Sequence, residues 1–407
     1  MQATLQNVSP VLSPKKTISF LALFLVFFVS KLHGIIDISA FVLLLFTLWS
    51  YITFSSFNLD KSLTPYASYL FFLALYSGII TFIYGGQEII FFFKFSRTFL
   101  VFFLLYFSWK IVSEYIDYEL FLKYLVLMTV FHSIIVILCV SYVDIRDVVY
   151  TITGYVPRGP AWSRSPGLTI SFNAPTIVHV LGLWILLTRR YWPVLVRAIF
   201  AVIILFSLIF LGRTIAFAGL SIILFYHLIL ERRWLITGML CAIILALFST
   251  YSHFSELGNE SEIGKNLDHF MEPLLNIGSE GGVDSYFSDT LGEHIYFADD
   301  AKTIFFGNSL AGHVGLLNST GETNSDLGVI NSINANGLFV TVSIYIFYFM
   351  MIWQIRRSDW KTFSIVALLS LVLTFKETGF FTSHATPVLF FLFFYNFLTK
   401  RIVLKLP

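Results

Sequence analysis

The side chains with the clearest chemical potential in this chain are bases in apolar surroundings. Arg213 is the only charge at the hairpin in FLGRTIAFAGL, between the apolar stretches 194–211 and 215–230. Lys94 and Arg97 lie in FFFKFSRTFLVFF, and Arg158 and Arg164 in VPRGPAWSRSPGLTISFNAPT, with Arg146 a little before them. A guanidinium offers a rigid fork of donors that grips phosphate oxygens two at a time and keeps its charge at any relevant pH. Gathered on one face at a membrane interface, Arg213, Arg97, Lys94, Arg158 and Arg164 would suit a lipid-linked pyrophosphate. Each has a simpler reading on its own. Arg213 is equally an arginine that snorkels to the headgroups, Lys94 and Arg97 partners of a buried acid, and Arg158 and Arg164 ordinary loop cations.

Further polar groups fall inside or beside apolar runs. His179, just after Thr176, is a candidate for lining a cavity or for packing as a satisfied core histidine; Lys376 and His384 flank the turn KETGFFTSH and are candidates for a cavity rim. His253, His269, His294 and His313 share one acidic stretch, but none has the spacing that sets two metal ligands on one face, so no metal site is read. Cys139 and Cys241 lie in separate apolar runs and suggest neither a disulfide nor a thiolate site.

The elements that must position these groups are helices. Of the 407 residues 57% are hydrophobic and 12% charged, against roughly 25% charged in soluble domains. Apolar runs that can cross a hydrocarbon core of about 30 Å are read at 17–32, 35–54, 66–84, 89–109, 120–142, 172–188, 193–211, 214–230, 234–250, 333–354, 361–375 and 381–399. Unpaired backbone is excluded from lipid, and the runs lack the alternation of an outer-membrane barrel, so the expectation is an all-α, polytopic transmembrane bundle of about twelve spans. The first run follows Lys15 and Lys16 and continues into VSKLHGIID without a small-x-small cleavage site, which reads as a retained signal anchor. A net charge of +2, with no basic stripe outside the membrane, gives no reason to expect a nucleic-acid partner.

With the N-terminus inside, every cytoplasmic connection carries a base: Lys15/Lys16, Lys61, Lys110, Arg189/Arg190, Arg232/Arg233, Arg356/Arg357/Lys361 and Lys400/Arg401/Lys405. Both termini are then cytoplasmic. The expected organisation is residues 1–250 as spans one to nine with a medium outer loop at 143–171, residues 251–332 as a large outer cap, and residues 333–407 as spans ten to twelve. The Pro and Gly content of 154–167 excludes a regular helix there. The large loop is acidic, with Lys265 and Lys302 its only lysines and no arginine, and interleaves enough aromatics to bury a small core. Simple rise along the fourth span puts Lys94 and Arg97 roughly 10–15 Å deep.

In this topology the chain resembles the O-antigen polymerase (Wzy-type) family, relatives of the O-antigen ligases. Three local patterns carry the resemblance. GRTIAFAGL is similar to the family's small-Arg-Thr/Ser turn between two helices, with Gly212 where serine is common. RSPGLTISFNAPT resembles R-x-x-G-x-x-x-x-P/N-N, where the middle loop enters the next span. SDLGVINSINANG resembles the polymerases' S-D-x-G-x-I/L turn and lines up with the ligases' H-N-x-x-L-x-x-L-x-x-x-G so that Asp326 takes the histidine position. The resemblance implies a GT-C-like bundle in the bacterial inner membrane. It also implies a glycosyltransferase without metal or other cofactor that acts on undecaprenyl-pyrophosphate-linked glycans at the periplasmic face. Its implied partners are those glycans, membrane lipids and a chain-length regulator protein.

Such a transfer needs stabilisation of the departing pyrophosphate, which the arginines would supply, and a base for the acceptor hydroxyl. Asp326 ranks first for that base, His313 second, and Asp299 or Asp300 third; Asp326 is equally a helix N-cap, whereas His313 reads more readily as a loop histidine and Asp299 and Asp300 as a solvated turn. A lipid-linked oligosaccharide flippase or other transporter is the rival in a different class. It is disfavoured because the charges lie in the outer third and the large loop covers one side only. An O-antigen ligase is the nearer rival, disfavoured by aspartate in place of histidine at position 326.

Overall fold

Backbone groups that cannot reach water must pair within their own segment, and helices accordingly occupy the apolar runs. The computed structural model describes residues 13–29, 32, 37–55, 58–83, 90–156, 165–169, 171–232, 238, 301–307, 328–356, 359–376 and 385–403. Of these residues 86% are helical and none lies in a strand, so the fold is all-α.

In chain order the helices are α1 (Pro14–Phe28), α2 (Ile38–Phe54), α3 (Thr64–Ile83, entered through a 3-10 turn at Lys61–Leu63), α4 (Ile90–Val112), α5 (Tyr118–Ser141) and α6 (Val143–Thr153). There follow α7 (Asn173–Thr188), α8 (Val194–Phe210), α9 (Arg213–Phe225, continued by a π-helical turn at Tyr226–Leu230), α10 (Ala301–Phe306), α11 (Gly328–Asn336), α12 (Leu338–Arg356), α13 (Trp360–Lys376) and α14 (Thr386–Val403). Helix therefore stands on each expected run except 234–250, which lies almost wholly outside the described residues. Among the described residues, four helical stretches are both long and apolar enough to cross a membrane: Lys61–Ile83, Phe92–Val112, Tyr118–Ser141 and Leu338–Arg356. Their exposed faces carry large apolar side chains such as Phe71, Phe82, Phe93, Phe131 and Phe349. Exposing such groups to water would be costly, whereas lipid tolerates them, so this is an integral membrane protein.

Aspartates start several helices by accepting orphan backbone N–H groups. Asp37 accepts from Ala40 at the head of α2, Asp117 from Leu120 at α5, and Asp359 from Thr362 at α13. α7 is the axis of the molecule: every residue from Ala174 to Leu187 is buried. It packs against α5, α8, α9 and α13. Close approach is possible because a glycine stands at two crossings. A Cβ at Gly182 would fall 2.7 Å from Thr129 Oγ1 of α5, and one at Gly219 of α9 would fall 2.6 Å from Val180. Around α14 the core is aromatic instead, with Phe390 edge-on to Phe102 at 5.2 Å and Phe391 stacked on Phe121 at 5.7 Å.

Three features go beyond the expected runs. The medium loop opens with α6, which ends where Gly154 turns left-handed (φ 68°). α9 widens into a π-turn, a device often associated with functional sites. The tenth run is not one helix, because Gly337 (φ 82°) separates α11 from α12. There the backbone of Gly337 lies directly on that of Phe305, at the end of α10, and Gly307 lies on Ala335, so a side chain on either glycine would collide with main chain. Residues 301–307, assigned by sequence to the large loop, are thus packed against α11 and α12. The Tyr76 hydroxyl of α3 also donates to Phe306 O at 2.6 Å.

Candidate functional site

The end of α8, the start of α9 and the start of α7 meet at one end of the bundle, here the Arg213 end. Gly212 N–H donates to Thr176 Oγ1 at 2.7 Å, while that hydroxyl donates to Phe172 O at 2.6 Å. A Cβ at Gly212 would come within 2.9 Å of both Asn173 Oδ1 and Thr176 Oγ1, so the turn presses on α7 with no room for a side chain. Ser165 N–H donates to Phe210 O at 3.2 Å. Two of the three sequence patterns, GRTIAFAGL and RSPGLTISFNAPT, are therefore fastened to each other through backbone and hydroxyl groups, although their contacts span 36 residues or more of chain.

Beneath that junction lies a polar cluster wholly out of contact with solvent: His132 and Ser133 of α5, His179 of α7 and Ser207 of α8. His179 Nδ1 lies 2.6 Å from Pro175 O, His179 Nε2 lies 3.4 Å from His132 Nδ1, and His132 Nε2 accepts from Leu168 N–H at 3.3 Å. Phe28 of α1 stacks on the His132 ring at 4.6 Å, and Ser207 donates to Ser133 at 2.9 Å. Gly167 has φ 61°, a conformation that disfavours any side chain, and its missing Cβ leaves space for His132 Nε2, which would otherwise be 2.7 Å away. His132 played no part in the sequence reading. Its one signal was an imidazole inside an unbroken apolar run, which by default marks a functional or paired position.

Arg97 lies at the same end, where α4 begins beside the head of α2. Its Nε and Nη2 both contact Asp37 Oδ2, at 2.9 and 2.8 Å, with the guanidinium side chain 42% exposed. Burial works to raise the Asp37 carboxyl, but the Arg97 charge and the bonds from Ser39, Ala40 N–H and Arg97 outweigh it and hold the group below its usual range. Lys94 is half-buried one turn earlier, and its carbonyl accepts from Thr98 Oγ1 at 2.9 Å. Arg146 on α6 lies 3.8 Å from Asp147, a loose surface pair.

Arg213 is the first residue of α9 and Lys376 the last of α13; their side chains lie outside the description. Asp326, His313, Arg158, Arg164, His384, Asp299 and Asp300 lie outside the described residues. Of SDLGVINSINANG, residues 328–337 are described: Ile330 and Ile333 are buried and Gly337 makes the left-handed break, so these pattern positions have a packing explanation. α11 packs on α13, and α13 on α7 and α9, which puts the third pattern one helix away from the other two.

The opposite end, here the Asp359 end, is held by charge. Asp359, 6% exposed, accepts from Arg189 Nη2 (2.5 Å), Thr362 Oγ1 (2.5 Å) and Tyr118 (3.1 Å). Arg189 also lies 3.5 Å from Glu119, and Lys361 pairs with Glu231. Burial disfavours the Arg189 charge, but Asp359 and Glu119 more than offset this and raise its proton affinity. A small apolar cleft of about 20 Å³ between α7, α13 and α14 is lined, among the described residues, by aliphatic side chains alone, including Ile177, Leu181 and Leu389, and has no group to hold a charge.

The fold and this junction define an all-α membrane protein whose α7 is fastened at one end by neutral hydrogen bonds and whose other end is held by ion pairs. Compared with known proteins, the chain matches no protein-family model, no curated protein and no solved structure.

Proposed function

We propose that the protein is a membrane glycosyltransferase that polymerises undecaprenyl-pyrophosphate-linked oligosaccharide repeat units at the periplasmic face of the bacterial inner membrane, as an O-antigen polymerase does. One observation supports it most: the Arg213 turn and the segment that follows Arg164 are fastened together, Gly212 N–H on Thr176 and Ser165 N–H on Phe210 O, so that two arginine-bearing patterns far apart in sequence serve one place.

In this reading Arg213, with Arg158 and Arg164, takes the donor's pyrophosphate, and Lys94 adds positive potential. Arg97, already paired with Asp37, contributes less than its charge suggests. Lys376 and His384 belong to the cavity rim. The acceptor sugar hydroxyl attacks C1 of the donor's first sugar, the bond from C1 to the pyrophosphate oxygen breaks, and the hydroxyl proton passes to Asp326, or to His313 if that residue is the base. Undecaprenyl pyrophosphate leaves with its negative charge spread over the guanidinium forks, the contribution expected to lower the barrier most.

The test is the purified protein in proteoliposomes given a lipid-pyrophosphate-linked oligosaccharide. Glycan ladders on a gel, lost in Asp326→Asn and intact in chelator, are the expected result. Movement of the oligosaccharide across the bilayer without elongation would replace this reading with a flippase, and transfer only to a lipid A core acceptor would replace it with a ligase.

A further inference from the structure

The buried histidine pair has no duty in the reaction just described, yet it is hydrogen-bonded into the turn beside it. Pro175 O can only accept, so His179 Nδ1 carries the hydrogen of that bond. Leu168 N–H can only donate, so His132 Nε2 accepts in that bond, and the Pro166 carbonyl of the same turn is a second backbone partner of the ring. With Nε2 accepting from Leu168, neutral rings meet with His132 Nδ1–H donating to His179 Nε2. The result is a one-directional chain from Leu168 through both imidazoles to Pro175 O, with one hydrogen on each ring. Among the described residues no cluster of three histidines, cysteines or carboxylates could hold a metal, so the pair is read as a hydrogen-bonding device.

A membrane core would be filled more cheaply by leucine or phenylalanine than by two imidazoles, which must keep every nitrogen paired. What the imidazoles supply is an acceptor for a backbone N–H in an irregular turn. Within the turn Ser165 Oγ accepts from Gly167 N–H at 3.2 Å and Thr169 Oγ1 donates to Pro166 O at 2.9 Å, while the Ser165 side chain also meets Cys139 of α5 and Tyr150 of α6. The far side of the turn is fastened to Phe210 O at the end of α8, directly before the Arg213 turn.

We infer that His132, aligned by His179, is the positioning residue that holds the Ser165–Leu168 turn against the ends of α5 and α8. The latch is independent of the proposed reaction; only its effect on activity rests on that reading.

The test uses the full-length protein with Cys139→Ala and Cys241→Ala and a buried reporter, Ser165→Cys, labelled with a maleimide. His132→Leu and His132→Gln have similar volume, but only glutamine puts an acceptor near the Nε2 position. Leucine should speed labelling about tenfold, and glutamine should stay within about threefold of the parent, the scale of one lost hydrogen bond in a local opening. Equal labelling of parent and His132→Leu, or fast labelling of both variants with unchanged thermal melting, would overturn the inference. If His132→Leu fails to fold, hydrogen–deuterium exchange of the unmodified protein decides: slow exchange at the Leu168 amide supports the latch and rapid exchange overturns it. Fast labelling with normal polymerisation would leave the latch standing and remove this turn from the proposed site.

Discussion

The two ends of the bundle are fastened by different chemistry. At the Asp359 end the links are ionic: one buried carboxylate gathers Arg189, Thr362 and Tyr118, and Glu231 takes Lys361. At the Arg213 end the links around α7 are neutral: two imidazoles, the Thr176 and Ser207 hydroxyls, and backbone groups. The Arg97–Asp37 pair is the exception, and it sits off to the side on α2 and α4. Charges satisfied by one another can set orientation and stability but offer little to a ligand. In the proposed reaction, neutral pins around α7 would leave no carboxylate there to compete with the anionic donor for its cations.

The largest effect should come from breaking the ionic end. Asp359→Ala leaves the partly buried Arg189 without its main partner and removes the cap of α13. The expected loss is about 3 kcal/mol, towards the low end for a broken buried pair because Arg189 keeps some solvent and Glu119. Thermal unfolding in detergent would show it, with any surviving folded protein still active. Melting unchanged from the parent would remove the ionic end from the account of stability.

Next comes the neutral end. Gly167→Ala adds a side chain where φ is 61° and His132 Nε2 lies in the way. It should cost about 2 kcal/mol, the sum of a disfavoured backbone conformation and a local shift. Unlike Asp359→Ala, it should lower the proposed polymerising activity even in the fraction that remains folded. Equal activity per folded molecule for both variants would erase the functional contrast between the ends.

The smallest effect is the acid response of the side pair. The Asp37 carboxyl is held below its ordinary value of 3.8, so its contribution is present above that value and is lost as pH falls through the lowered one. Between about pH 6 and about pH 3 the parent should therefore lose slightly more stability than Asp37→Asn, by under about 1 kcal/mol because Arg97 is well exposed. An identical acid response of the two proteins in melting experiments would show that the pair contributes nothing measurable.

The helices were legible because an apolar run in lipid has few alternatives to a helix. What escaped were features made by contacts between distant segments. Gly337 breaks the tenth run because the main chain at the end of α10 lies against it, and nothing within 333–354 announces that contact. α6 was missed because a short amphipathic helix at a membrane edge has no long apolar run to mark it. His132 was visible as an imidazole in lipid, but its partners are 36 and 47 residues away, so its use could not be read from its neighbours. Arg213 drew attention on sequence grounds alone. The structure adds the fastening of its turn to Thr176 and, through Ser165, to the segment that follows Arg164.

The central claim is that Arg213 belongs to the ligand and not to the scaffold. It is tested by polymer length from purified Arg213→Ala and Arg213→Lys in proteoliposomes with lipid-pyrophosphate-linked oligosaccharide. Alanine should abolish nearly all elongation and lysine most of it, because a point charge cannot reproduce the fork, while thermal melting and the slow exchange of the Leu168 amide stay as in the parent. Near-normal chains from Arg213→Ala would contradict the account and return Arg213 to the membrane interface as a snorkelling cation.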